Sequence, residues 1–322
     1  MISIDHVWIL ALALVIDAII GDPDWLWRRV PHPVAMIGGL IAFFDKNLNR
    51  DDLSPRRRVA RGIATIGLIV FVAFGTGLIL QGLFSSIAYG WIATAIVAAI
   101  MLAGRSLFDH VAAVAAAYRV DGINSARMSL ARIVGRDTAS LDEPGISRAA
   151  IESAAENFSD GLVAPAFWFA LLGLPGLLAY KAINTADSMI GHRSERYRDF
   201  GRATARLDDV VNYLPARLSA ILIALAARLV GGSVGKAFAI VASDAKKHRS
   251  PNAGWPEAAM AGALGIALAG PRPYDGVIGD DVFINIQGNT AAIGDIRRAL
   301  RLYAGAWALV LSVAVSASAI FV

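Results

Sequence analysis

The sequence predicts an all-α, polytopic integral membrane protein with large helical cytoplasmic segments. Three observations predict it. Apolar residue types make up 56% of the 322 residues, and the mean hydropathy is +0.56. Several runs approach or exceed the roughly 20 apolar residues that a bilayer crossing requires. The charged residues gather in the segments between those runs.

The first run, 4–20, lacks a basic leader and ends in Gly21-Asp22-Pro23-Asp24 rather than a small-residue cleavage site. It is expected as a retained helix, not a signal peptide. Further spans are expected at 62–83, 86–103 and 303–322. Arg28, Arg29, Lys46, Arg50, Arg56, Arg57, Arg58 and Arg61 lie in 21–61, whereas the link 84–90 carries no Lys or Arg. The positive-inside rule therefore places 21–61, 104–161, 179–214 and 246–302 in the cytoplasm. Segment 162–178 carries Pro165, Gly173 and Pro175, and a single crossing there would put Arg193, Arg196, Arg198, Arg202 and Arg206 outside. A re-entrant or protein-buried segment fits better. Segment 215–245 either turns back at Gly231-Gly232 or does not cross. The expected organisation is a single integral membrane domain over 1–322, multi-pass in the cell (inner) membrane, with its active face cytoplasmic.

The composition also excludes. With no Cys there are no disulfides, thiolate metal sites or cysteine nucleophiles. The net charge of +4 sits in loops and reads as orientation signal, so no nucleic-acid partner is expected. The run 231–237 resembles a P-loop, but its first spacing is one residue short and no Ser or Thr follows Lys236. The five His are scattered, which argues against zinc. Trp25, Trp27, Trp168 and Trp255 are most simply interfacial anchors.

Five polar constellations stand out. Glu152, Glu156 and Asp160 recur at every fourth residue, one face of a helix. Stacked carboxylates repel unless a cation lies between them, so the three are candidate Mg²⁺ ligands; the plain alternative is a solvated face. Lys181, Asn184 and Asp187, leading to Gly191-His192-Arg193, resemble a phosphate-and-metal surface, with Lys181 for phosphate and Asp187 and Asn184 for a cation. An ordinary helix end capped by Gly191 explains part of the same pattern. Asp209 and Asn212 stand just before an apolar run, where a simple capping role for Asp208 or Asp209 competes. His248-Arg249-Ser250-Pro251-Asn252 precedes Gly254-Trp255-Pro256-Glu257; a loop leading into a helix start, with Pro256 at its first position, is a natural anion site. Asp17 lies within the first apolar run, followed by Asp22 and His32.

These motifs, in this order, resemble one family. Asp17-x-x-x-Gly21-Asp22-Pro23 with His32-Pro33-Val34, then Glu152-Ser-Ala-Ala-Glu156-Asn157, Asn184-Thr-Ala-Asp187-Ser-Met, Leu207-Asp208-Asp209-x-x-Asn212-x-x-Pro215-Ala-Arg217 and Ser250-Pro251-Asn252-Ala-Gly254-Trp255-Pro256-Glu257 look like the CobD/CbiB family, the adenosylcobinamide-phosphate synthases of cobalamin biosynthesis. The resemblance covers essentially the whole chain. It implies a carbon–nitrogen ligase joining 1-amino-2-propanol phosphate, or aminopropanol, to the propionate carboxylate of adenosylcobyric acid, with ATP and Mg²⁺. On that reading Glu152, Glu156, Asp187 and Glu257 are the catalytic candidates. Lys181, Asn184, His192, Arg193, His248, Arg249, Ser250, Asn252, Asp209, Asn212, Asp22 and His32 are the substrate- and phosphate-binding candidates, and Glu152, Glu156, Asp160 and Asp187 the metal candidates. The corrinoid is substrate, and the bilayer is a partner; a homo-oligomer and docking of other cobalamin-pathway enzymes stay open. A transporter, which would usually show internal repeats, and a sensor or scaffold of the corrinoid pathway are the rival readings.

Overall fold

A computed structural model of the chain describes residues 4–320 except 136, 193, 272, 275, 276, 279 and 280. Helix accounts for 77% of the structure. The helices run in order as α1 (Ile4–Ile20), α2 (Asp24–Trp27), α3 (Pro33–Leu48), α4 (Pro55–Ser85), α5 (Gly90–Met101), α6 (Gly104–Asp121) and α7 (Ile123–Leu130). They continue as α8 (Glu143–Asn157), α9 (Ala164–Ile190), α10 (Arg202–Val211), α11 (Tyr213–Ala226), α12 (Val234–Asp244), α13 (Gly254–Leu264) and α14 (Ile293–Ile320). Among the described residues, four two-residue strands, β1 (Leu268–Ala269), β2 (Pro273–Tyr274), β3 (Val277–Ile278) and β4 (Phe283–Ile284), form the antiparallel pairs β1–β4 and β2–β3.

Among the described residues five helical stretches are long and apolar enough to cross a membrane: Pro55–Ser85, Gly90–Asp121, Glu143–Ile190, Tyr213–Val230 and Ile293–Ala319. The protein is an all-α, polytopic membrane protein. The first expected span coincides with α1, whose 17 residues give roughly 25 Å of rise. Helix α4 begins at Pro55, ahead of the apolar run that hydropathy marks, because a proline at its start and the helix-favouring Arg56, Arg57 and Arg58 extend it. Residues 215–245 turn at Gly231-Gly232, where Gly231 takes φ 72° between a short 3₁₀ turn and α12.

The chain folds as two compact units. The first contains the described parts of Met1–Ala103, Ala164–Asn212 and Ala314–Val322; the second contains those of Gly104–Val163 and Tyr213–Val313.

In the first unit α9 is the central helix, packed by α1, α3, α4, α5 and α10. Most of it is buried, while α4 exposes Leu68, Phe71, Leu78, Ile79 and Leu83, an apolar surface suited to lipid. The chain breaks within α9 at Gly173 (φ 67°, ψ −150°), a conformation that glycine reaches without strain. Pro175 follows and would leave backbone groups unpaired at low dielectric. Gln81 of α4 resolves this: its Oε1 accepts the Leu174 N–H at 3.0 Å. Gly77 lets the α4 backbone approach Pro175, where a Cβ would collide with backbone. Beyond the break, Ala182, Ile183, Ala186 and Ile190 of α9 join Ile41, Ile66, Ile69 and Phe200 in a core. Those α9 positions follow helical periodicity, which turns Lys181, Asn184 and Asp187 to a different face.

The second unit packs α11 and α12 around α13, with α6 and α7 against α8. Helix α8 passes into a π-helical stretch, Phe158–Val163. The turn after α13 is fastened by Asn285 (φ 53°), whose Nδ2 donates to the carbonyls of Ile266 at 3.0 Å and Ala261 at 3.3 Å. The Asp244 carboxylate accepts the Asn285 N–H at 2.7 Å and pairs with Lys247 at 2.6 Å.

Candidate functional site

In the first unit, α9 and α10 bring a set of polar side chains together. Tyr180 donates its hydroxyl to Asn212 Oδ1 at 3.0 Å, and Asn212 Nδ2 donates to Asp208 Oδ2 at 3.0 Å. Asn184 also reaches Asp208, and Asp187 and Asp209 both act on it electrostatically. Asn212 and Lys181 are buried, with 1% and 7% of their surface exposed. Leu207 and Val211 of α10 pack on the core beneath. Thus α10 is amphipathic in a specific sense: its apolar stripe faces the core, and Asp208, Asp209 and Asn212 occupy the flank.

Burial pushes the Asp208 carboxyl up to about 7, and the neighbouring Asp187 and Asp209 charges add to that, while hydrogen bonds from Asn212 and Asn184 oppose it. A carboxyl tuned to neutrality by burial and like charge is a recurrent mark of a functional site. Two amides and the Tyr180–Asn212 bond help the cluster to tolerate its own repulsion.

The sequence picks Lys181, Asn184, Asp187, Asp209 and Asn212; the first four sit on these two helices, and Asn212 caps the C-terminus of α10. It misses Asp208, which it reads only as a helix cap. The capping reading does not hold: α10 starts at Arg202, so Asp208 and Asp209 are interior to the helix. The available signal was the i, i+4 pair Asp208 and Asn212, beside inward-facing Leu207 and Val211. His192 follows the end of α9 on the surface, and Arg193 lies outside the described residues. Asp22 and His32 form a local device. His32 Nδ1 accepts the Val34 N–H at 3.1 Å and caps α3, its Nε2 lies 3.5 Å from Asp22 Oδ1, and its ring stacks edge-on to Trp27.

The second unit holds the remaining candidates. Glu152 is buried, and its Oε1 accepts the Ala269 N–H at 2.8 Å, fastening α8 to β1. Glu156 is exposed on α8 and Asp160 is half-buried. The expected single face does not extend to Asp160. The helix turns π from Phe158, and the wider turn moves Asp160 off the α-helical stripe of Glu152 and Glu156. Helix α13 starts at Gly254, so Pro256 is its third residue rather than its first; the first turn has no N–H partner to lose, so proline is tolerated there. Ahead of it, Ser250 Oγ accepts the N–H groups of Asn252 and Ala253, both at 3.2 Å. His248 Nδ1 accepts the Ser250 N–H at 3.0 Å, and its Nε2 lies 3.6 Å from the buried Glu257 carboxylate. Arg249 pairs with Asp281. Arg217 is stacked 3.6 Å from the Tyr213 ring centroid and 4.4 Å from that of Trp255, and it donates to Asn252 Oδ1 at 2.8 Å.

Among the described residues no three His, Asp or Glu side chains stand close enough to hold a metal ion by themselves. Any Mg²⁺ here would need oxygens from a substrate phosphate as well, which is the usual habit of that ion.

The family model described as CobD/Cbib protein matches residues 10–303. Among curated proteins, the chain is 52% identical over 302 residues to a cobalamin biosynthesis protein CobD of Sinorhizobium sp, covering 92% of this chain and 94% of that one. It is 50% identical over 315 residues to the protein of the same name from Brucella suis biovar 1, covering 96% of each. It is 46% identical over 300 residues to that of Rhodobacter capsulatus, covering 93% of each. No solved structure matches the chain. With a match across nearly its whole length and relatives at half identity, the chain belongs to the CobD/CbiB family.

Proposed function

We propose that the protein acts in cobalamin biosynthesis as an ATP-dependent, amide-forming ligase. In this reading it joins aminopropanol, free or phosphorylated, to the propionate carboxylate of adenosylcobyric acid at the cytoplasmic face of the inner membrane. Family membership supports the pathway. The observation that carries the chemistry is the α9–α10 cluster: Asp187, Asp208 and Asp209 crowded together on helices that otherwise bury apolar surface. A membrane anchor alone has no use for such an arrangement, whose charges repel one another.

The reaction transfers the γ-phosphoryl group of ATP to the propionate oxygen and releases ADP. The amine nitrogen then forms the C–N bond, phosphate leaves with the oxygen, and the amine gives up a proton. This chain's residues have three tasks in it. Cationic and amide groups hold and orient the phosphates, with Lys181 and Asn184 on α9 in place for that. A carboxylate of the cluster accepts the proton of the attacking amine. Carboxylates would hold a Mg²⁺ ion together with substrate phosphate oxygens, and that ion would supply charge neutralisation when bound. Asp187 is the proposed contributor in the first unit, and Glu156 is a separate candidate within the second. Glu152 contributes through the α8–β1 fastening as well, and Glu257 through its pairing with His248.

The test is product formation. Purified protein in detergent, given adenosylcobyric acid, aminopropanol phosphate, Mg²⁺ and ATP, yields a corrinoid heavier by the amidated amino alcohol, and omission of ATP abolishes it. A product formed without ATP, or none from folded protein, would sink the ligase reading. Glu156→Gln is expected to abolish turnover without lowering expression; near-normal turnover would remove Glu156 from the proposal.

A further inference from the structure

We infer that a cavity in the first unit, beside the α9–α10 carboxylates, is the binding site for the polyphosphate of a nucleotide carried as its divalent-cation complex. This deepens the proposed function and rests on it for the role of the nucleotide. The cavity has a volume of about 510 Å³, and its wall includes His192, Arg198, Asp199, Arg202, Arg206 and Asp209, so the arginines still outnumber the carboxylates. The sequence reads these arginines only as orientation signals.

The arginines are the first argument. Arg198, Arg202 and Arg206 follow one another at intervals of four, and the latter two lie on one flank of α10. Among the described residues none of the three guanidinium groups makes an ion pair or a hydrogen bond. Some arginines elsewhere are engaged, such as Arg196 with Asp45 at 2.8 Å, Arg298 with Asp295 at 2.7 Å and Arg50 with Asp52 at 3.0 Å; among the described residues others, such as Arg56 and Arg57, are not, so what sets these three apart is their convergence on one cavity wall. Three unengaged guanidinium groups on one cavity present planar donor forks of the kind that bind phosphate oxygens in pairs. The N-terminus of α10 opens at the same place, with no side-chain cap from Gly201, and its first-turn N–H groups add to the attraction.

Size and charge select the ligand class. A cavity of this volume suits a nucleotide-sized ligand, and it exceeds what a small phosphate monoester would fill. Three positive charges suit a polyphosphate chain better than an amino-alcohol phosphate, whose own ammonium group they would repel. Asp209, at the rim, links the cavity to the carboxylate cluster. Phosphate oxygens on one side and carboxylates on the other are the setting a Mg²⁺ ion uses when its protein ligands are few.

The same chemistry would serve an anionic lipid head group, so the experiment separates the two. A fluorescent ATP analogue is titrated into the full-length protein in detergent with Mg²⁺, and its anisotropy read. The expected result is saturable, Mg²⁺-dependent binding, weakened about tenfold or more in the R202A/R206A double variant and less in R198A. R50A, which loses an engaged surface arginine, is expected to bind as wild type. All three cavity arginines are exposed, and a melting curve verifies that each variant is folded. Binding within twofold of wild type in the folded double variant would overturn the inference. So would displacement of the analogue by short-chain phosphatidylglycerol at equal concentration without any Mg²⁺ requirement. Corrinoid amidation is measured separately. Arginine-dependent nucleotide binding with no amide product leaves the cavity assigned and defeats the ligase reading. An ATP-dependent amide product from a double variant that binds normally does the reverse.

Discussion

The α9–α10 cluster and the loop that precedes α13 are both rich in polar side chains, yet they treat those groups in opposite ways. Before α13, the polar atoms are largely consumed by the fold. Ser250 caps the turn, His248 accepts the Ser250 N–H, and Arg217 is clamped between two aromatic rings and Asn252. At α9–α10 like charges are held together, and the neighbouring arginines find no internal partner among the described residues. Folding alone would not select the second arrangement, because it stores repulsion. On the proposed reading, the difference separates side chains that build the protein from side chains kept for a ligand.

Substitutions sharpen that contrast. The largest effect is expected from Asp208→Asn, an isosteric change that removes the charge. It should lower the rate of ATP-dependent corrinoid amidation by more than about a hundredfold, while the melting temperature in detergent holds or rises because a repelled, desolvated carboxylate is gone. Near-normal activity would make the cluster scaffold. Next comes Arg217→Ala. Loss of two ring contacts and three hydrogen bonds, to Asn252 Oδ1 and the Tyr213 and Pro251 carbonyls, should cost about 2–3 kcal/mol of stability, read as a lowered melting temperature. Arg217→Lys should recover only part of it, since a lysine cannot stack as a plane.

Gln81→Ala tests the membrane part of the fold. It leaves the Leu174 N–H buried without its acceptor, a loss of about 1–3 kcal/mol, visible as a lower melting temperature. An unchanged value would mean that another group satisfies the break at Gly173. The smallest effect is expected for Glu152→Gln in stability. The amide oxygen can still accept from Ala269, so the change should stay below about 1 kcal/mol. A large loss of activity at unchanged stability would move Glu152 from scaffold to chemistry.

Much of this was legible in the sequence, for physical reasons. Apolar runs and basic flanks give away a membrane protein, because the bilayer imposes length and charge rules that local sequence must obey. The break near Gly173 and Pro175 was legible as a segment needing protein cover. Its cure was not, since Gln81 lies 93 residues away along the chain. Regular spacing located Asn184, Asp187, Asp209 and Asn212, but it assumed an unbroken α-helix at Asp160, where the chain turns π. Asp208 and the arginine-lined cavity escaped because their significance lies in what surrounds them: neighbouring charge, burial, and the absence of described partners. Such properties belong to the folded chain; the spacing of Asp208 with Asn212 and of the arginines at intervals of four does not by itself reveal them.

The most direct test of the account is a single-turnover assay of wild type and Asp187→Asn, with adenosylcobyric acid, aminopropanol phosphate, Mg²⁺ and ATP, and corrinoids read by mass. The account predicts an amidated corrinoid from wild type and essentially none from the variant, with both proteins giving the same melting curve. Equal product from the two would contradict a catalytic role for the α9–α10 cluster.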